Sequence, residues 1–118
     1  MSIRTAATIA IAIAITLAGC TTSSDVSRTL GARCDSSGEC AGRCLPDGAG
    51  YPGGFCTLVC NRSAECPATS ACVDREGGAC LFSCAGEDSC AFLGEGWRCA
   101  EEDLREDTST KVMVCRGP

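Results

Sequence analysis

The 118-residue chain contains no histidine. That removes nucleophile–histidine catalysis and the imidazole ligands of mixed zinc sites. Lysine is nearly missing as well: Lys111 is the single one, and the formal net charge is −5. Clustered basic side chains are what nucleic acid rewards, so an acidic chain of this kind is expected to have no nucleic-acid partner. An electrostatic hold on acidic lipid heads is excluded on the same ground. Cysteine is abundant, yet no C-x-C or C-x-x-C occurs. The knuckle of zinc ribbons and the dithiol of thioredoxin-type enzymes are therefore both absent. No phosphate-cradling glycine loop and no D-x-D-x-D-G calcium loop is present. The acids at Glu87, Asp88, Glu101, Glu102, Asp103, Glu106 and Asp107 read as solvated loop residues. The expectation is a protein that is not an enzyme and that holds no cofactor and no metal.

Large apolar side chains are scarce where a fold would need them. All five isoleucines (Ile3, Ile9, Ile11, Ile13 and Ile15) lie in the first 15 residues. Between Cys34 and Cys115 only fifteen sizeable apolar side chains occur in 82 residues. A domain with so thin a core needs covalent cross-links. Four aromatic residues sit in sequence regions that read as loops: Tyr51 with Phe55, and Phe92 with Trp97. They are the candidate contact surface for a protein or glycan, since Trp and Tyr are favoured anchors. The competing expectation is that they pack on the disulfides as a small core.

What is present is thirteen cysteines. Cys20 stands apart, and the other twelve fall into three sets of four: Cys34, Cys40, Cys44 and Cys56; Cys60, Cys66, Cys72 and Cys80; Cys84, Cys90, Cys99 and Cys115. Every set opens with five intervening residues, and each follows its predecessor after three. The opening loops DSSGE, NRSAE and AGEDS are alike in being small and polar. Three such coincidences in tandem indicate an internal repeat. The third-to-fourth interval varies most, at 11, 7 and 15 residues, as expected of a hairpin tip. Gly77-Gly78, Pro46-Asp47-Gly48 and Pro52-Gly53-Gly54 supply turn chemistry there. In the third unit, Trp97–Cys99 and Lys111–Cys115 are the expected strands, with the acidic run Glu101 to Asp107 capping them as a helical turn. Four cysteines leave three pairings open per unit. First-to-third with second-to-fourth is favoured, because it ties the opening loop to both hairpin strands. The predicted fold class is thus small and disulfide-rich: three tandem four-cysteine units (34–56, 60–80 and 84–115) within a domain spanning 34–118. Short β-hairpins and little other regular structure are expected.

Residues 1–19 read as a targeting segment, with Arg4 as its basic start and Thr5–Ala18 as an apolar stretch expected to form a signal helix. At ~14 residues this stretch is shorter than the about 20 that span a bilayer. An ordinary cleaved signal peptide is the alternative. Leu17-Ala18-Gly19-Cys20 resembles the lipobox of bacterial lipoproteins. The resemblance implies removal of residues 1–19, lipidation of Cys20 (a diacylglyceryl thioether, commonly with an N-acyl chain such as palmitate), and membrane attachment through that lipid. Loss of Arg4 would leave a mature side-chain balance of −6. Residues 20–33 are small and polar and read as a flexible tether. Lipobox, tether and cysteine repeats together resemble the small Cys-rich envelope lipoproteins of myxobacterial type. Thr21, in a position where aspartate signals inner-membrane retention in Gram-negative lipoproteins, implies an outer-membrane destination.

Three functions remain open from sequence: a non-catalytic, lipid-anchored binding or interaction module at the cell envelope; a protease inhibitor or toxin-neutralising factor with a slow-cleaving loop around Arg75 or Arg62; and a structural envelope component. Any activity is expected in the variable hairpin tips.

Overall fold

The computed structural model describes residues 26–118. The lipobox, Cys20 and the expected signal helix lie outside the described residues. Each four-cysteine unit is one opening turn followed by one antiparallel hairpin. The opening turns are 3-10 helices, η1 (Ser37–Glu39), η2 (Ser63–Glu65) and η3 (Glu87–Leu93). The hairpins are β1 (Arg43–Leu45) with β2 (Phe55–Thr57), β3 (Ser70–Val73) with β4 (Ala79–Phe82), and β5 (Arg98–Asp103) with β6 (Lys111–Arg116).

In every hairpin the third and fourth cysteines stand directly opposite: Cys44 with Cys56, Cys72 with Cys80, and Cys99 with Cys115. Opposed residues project to the same face of a sheet, so two bridges leave each hairpin side by side. They end on the first and second cysteines of the opening loop. The pairs are Cys34–Cys44 and Cys40–Cys56, Cys60–Cys72 and Cys66–Cys80, Cys84–Cys99 and Cys90–Cys115. This is the first-to-third, second-to-fourth pattern in all three units. Each bridge contributes ~3 kcal/mol at most in the chain-entropy account, by restricting the unfolded chain.

The repeat extends beyond the cysteines to the hydrogen bonds that shape each opening loop. The residue before the second cysteine turns its side chain back on amides just after the first. Glu39 accepts from the Asp35 amide at 3.3 Å, and Glu65 accepts from the Asn61 and Arg62 amides at 2.6 and 3.3 Å. Ser89 accepts from Ala85 and Gly86, both at 3.3 Å. A carboxylate and a hydroxyl thus do one job, satisfying donors that a short helix leaves free. Glycine does a second repeated job. At Gly54 (φ +79°) and Gly78 (φ +106°), two residues before the fourth cysteine, a Cβ would stand 1.9 and 2.0 Å from the carbonyl oxygens of Cys34 and Cys60. Only a residue without a side chain lets the first cysteine's backbone lie there.

The three units share one core. Phe55 from the first, Leu81 and Phe82 from the second, and Trp97 and Val114 from the third are all buried in one cluster. The Phe55 ring stands 5.2 Å from Trp97 and 6.0 Å from Phe82, centroid to centroid. Thr57, fully buried, donates to the Cys80 carbonyl at 2.7 Å and accepts from its amide at 2.9 Å, joining the first unit to the second. Val73 bridges Leu104, and Gly117 donates to the Gly50 carbonyl at 2.7 Å, joining the third unit to the other two.

Two expectations need correcting. The tether assigned to residues 20–33 is folded in its second half. Leu30 is 1% exposed, the Gly31 amide donates to Cys56 at 2.8 Å, and Ala32 accepts from Cys56 at 2.9 Å. These bonds pair the incoming chain with the outer edge of β2, which otherwise would be unsatisfied. The acidic run 101–107 does not cap its hairpin as a helical turn, since Glu101, Glu102 and Asp103 lie in β5. Strand charges are tolerated there because Glu102 meets the Arg75 and Arg116 guanidiniums at 3.3 and 2.6 Å, and Asp103 pairs with Lys111 across the ladder.

Candidate functional site

The four residues proposed from sequence as one contact surface do not form one. Tyr51, Phe55 and Trp97 are buried, and Phe92 alone remains exposed, at 45%. The reason is the shortage of large apolar side chains: the aromatic rings fill the joint between units that nothing else can fill. Tyr51 lies in the third-to-fourth interval of the first unit and is 7% exposed. Burial raises its pKa above the ordinary tyrosine value, partly offset by the nearby Arg75 guanidinium. Trp97 donates its indole N–H to the Pro52 carbonyl at 3.0 Å.

The bridging cysteines bring three sulfurs of each unit within 4.8 Å of one another: Cys34, Cys40 and Cys44; Cys60, Cys66 and Cys72; Cys84, Cys90 and Cys115. This crowding follows from two adjacent bridges per unit. Each of these sulfurs is bonded to another, so none is a thiolate available to a metal.

The hairpin tips proposed as the seat of function are largely committed to structure. The second tip turns at Glu76 (φ +53°) and Gly77 (φ +76°), closed by the Gly78 amide donating to the Arg75 carbonyl at 2.8 Å. Its flanks are stitched to the third unit. Asp74 donates its amide to Asp103 at 2.8 Å, its carboxylate meets Arg105 at 2.6 Å, and Arg75 holds Glu102. The side chain of Arg75 is thus engaged within the fold. Arg62, at the start of η2, is exposed.

The open concavity lies elsewhere, beside η3. Glu87, Asp88 and Ala91 from η3, then Gly94, Glu95, Gly96 and Trp97, line a solvent-open groove of about 490 Å³. Three residues per turn give a 3-10 helix three rows of side chains. In η3 the first row is buried at Cys90 and Leu93 and opens on the groove at Glu87; a second, Asp88 and Ala91, faces the groove; the third contains Ser89 and Phe92. The helix is longer than η1 and η2 because eight residues separate Cys90 from Cys99. Gly94 ends it at φ +106°, and Gly96, at φ +87°, leaves room for Pro52, whose Cγ would stand 3.1 Å from a Cβ there. Glu87, Asp88 and Glu95 are exposed and form no hydrogen bond or ion pair among the described residues. A rim of free carboxylates over an indole edge is suited chemically to an ammonium or guanidinium group. It is too open to enclose a small molecule.

Of this groove the sequence signalled Trp97 as an aromatic anchor and Glu87 and Asp88 only as loop acids. Ala91, Gly94, Glu95 and Gly96 carried no signal of their own. A scan of protein-family models and searches of curated proteins and of solved structures found no match to the chain. Six disulfides place the protein in an oxidising, exported compartment. No helix among the described residues is long and apolar enough to cross a membrane.

Proposed function

We propose that the protein is a non-catalytic binding module, lipid-anchored at Cys20 to the cell envelope and facing its partner through the acidic groove beside η3. The partner chemistry is a basic protein segment, whose Lys or Arg side chain would lie between Glu87, Asp88 and Glu95 with its stem against Trp97. The observation that supports this reading most is the groove itself, a concave surface carrying three carboxylates that the fold does not use. Carboxylates without internal partners break no contact of the fold on engaging a partner, and their charges speed its approach. The Thr21 position supports an outer-membrane destination by resemblance alone.

The inhibitor reading is weaker. An inhibitory loop presents its basic side chain to a protease cleft, whereas Arg75 is tied to Glu102 and flanked by bonds to the third unit. The test is photo-crosslinking in intact cells from a reactive residue at Ala91, with a second probe at Arg62. A partner captured from position 91 and lost in Glu87→Lys/Asp88→Lys/Glu95→Lys is the expected result. Capture unchanged by that charge reversal, or capture from position 62 alone, would remove the groove from consideration. Because the three carboxylates make no internal bonds, the variant is expected to fold with its disulfides intact.

A further inference from the structure

We infer that the edge formed by Val26 and Phe92 rests in the interface of the bilayer that holds the Cys20 lipid, an inference that depends on the anchoring proposed above. Val26 is 36% exposed and Phe92 45%, two of the four large apolar residues left open to solvent among the described residues. Phe92 packs on the buried Phe82 ring, and Val26 lies near it. The Phe92 and Phe82 centroids are 5.2 Å apart in an edge-on arrangement. A Cβ on Gly31 would stand 2.6 Å from the Phe82 ring and 3.4 Å from Val26 Cγ2, so Val26 is no more than about 6 Å from that ring. The exposed pair therefore flanks one support, Phe82, which is itself 3% exposed.

The chain's own length says what covers this edge. Five residues, Thr21 to Asp25, separate Cys20 from Val26. Fully extended, the six Cα–Cα steps reach about 20 Å, and a coil of that length covers less. Val26 is thus confined near the headgroups whenever the lipid is inserted, and the edge beside it meets the membrane at high effective concentration. Under that confinement even a small apolar contact suffices for docking, because the entropy of bringing the partners together is already spent. Orientation follows. In η3 the Ser89–Phe92 row lies about 120° from the Asp88–Ala91 row, so docking on Phe92 leaves the acidic groove open to the side. The carboxylates nearby make zwitterionic headgroups the favoured surface over anionic ones.

The experiment uses the full lipidated protein in zwitterionic vesicles containing brominated lipid, with tryptophan placed by Phe92→Trp or, separately, by Ser109→Trp. Ser109 sits at the tip of the third hairpin, six residues from Cys115, whose bridge to Cys90 fixes the hairpin base to η3. At ~3.3 Å per residue the tip lies about 20 Å away. The native Trp97 is buried and sets the baseline. The expected result is quenching of the position-92 probe several-fold above baseline, none at position 109, and a smaller effect in anionic vesicles. Equal quenching at both positions, or at neither, overturns the docking. The mass of the N-terminal peptide separates the two readings. A diacylglyceryl adduct on Cys20 with no selective quenching sinks the docking alone, while an unmodified Cys20 sinks the anchor and the docking with it. Phe92→Ser, checked for oxidation of all twelve bridging cysteines, is expected to abolish the orientation without unfolding.

Discussion

Replacing Thr57 with valine isolates the joint between the first two units. Thr57 is the single buried polar residue among the described residues, and its two short hydrogen bonds go to one backbone unit, that of Cys80, with a longer contact to the Leu58 carbonyl at 3.4 Å. The register explains why that unit needs them. Cys72 and Cys80 face each other across the β3–β4 ladder as a pair that exchanges no hydrogen bonds, so Cys80 turns its N–H and C=O outward. Thr57 Oγ1 accepts from one and donates to the other. Valine keeps the shape and removes both bonds, leaving a donor and an acceptor unpaired in a fully buried site. Each such group costs about 1–3 kcal/mol. The two share one local environment and do not add fully, so the expected loss is about 2–4 kcal/mol.

Denaturation by urea with the disulfides oxidised measures that loss, since the bridges hold the chain together without supplying this joint. A loss of this size lowers the folding equilibrium between about 30-fold and 700-fold, at tenfold per 1.4 kcal/mol. Thr57→Ser is the control: it keeps the hydroxyl, gives up one methyl group, and is expected to cost about 1 kcal/mol. A Thr57→Val protein within about 0.5 kcal/mol of the original, or one more stable than Thr57→Ser, would refute the assignment of these bonds as the joint.

Three further outcomes are expected. Tyr51 is the chain's single tyrosine, so its ultraviolet titration reports one group, which should ionise above the ordinary tyrosine value. The native state favours the protonated phenol, so its contribution is intact below that ordinary value and is lost as pH rises through the raised one; Tyr51→Phe should remove this alkaline loss. Gly78→Ala places a methyl group on the Cys60 carbonyl and forces alanine to φ +106°, which should cost more than about 2 kcal/mol in thermal denaturation, while the same change at Gly86, where a Cβ meets nothing, should be nearly silent. The Glu65 carboxylate, held below its ordinary value first by the Asn61 amide and then by Arg62, should titrate low by NMR. Its stabilisation of the η2 loop is present above the ordinary glutamate value and is lost as pH falls through the depressed one, and Glu65→Gln should flatten that acid response.

The cysteine register was legible because covalent pairing imposes spacing directly. Two bridges from opposed strand residues to a short loop require a near-constant opening interval, and that constancy is visible without a structure. The hairpins followed for the same reason, with Gly-Gly and Pro-Gly marking their tips. What stayed hidden was whatever depends on a partner from another unit. Leu30 looked like one apolar residue in a polar tether, and its burial comes from packing in the shared core, which no local pattern records. Glu101 to Asp103 looked like a solvated cap because the cations that make them strand residues come from Arg75, Lys111 and Arg116, up to 27 positions away. Tyr51, Phe55 and Trp97 posed the same difficulty in reverse: as loop residues they could serve equally as surface or as filling, and only the meeting of three units decides.

The place where the three units differ most usefully is not the one with the largest length variation. The third-to-fourth interval ranges from 7 to 15 residues, yet its tips are consumed in joining units: Tyr51 and Gly50 in the first, Asp74 and Arg75 in the second. The second-to-third interval grows more modestly, through 3, 5 and 8 residues, and only the longest continues a turn into η3 and sets Trp97 against Pro52. A repeat spends its first length differences on packing against its neighbours, because each copy must bury a different flank of the common core. In the third copy the longer turn leaves the Asp88–Ala91 row uncovered, and an acidic concavity lies beside it.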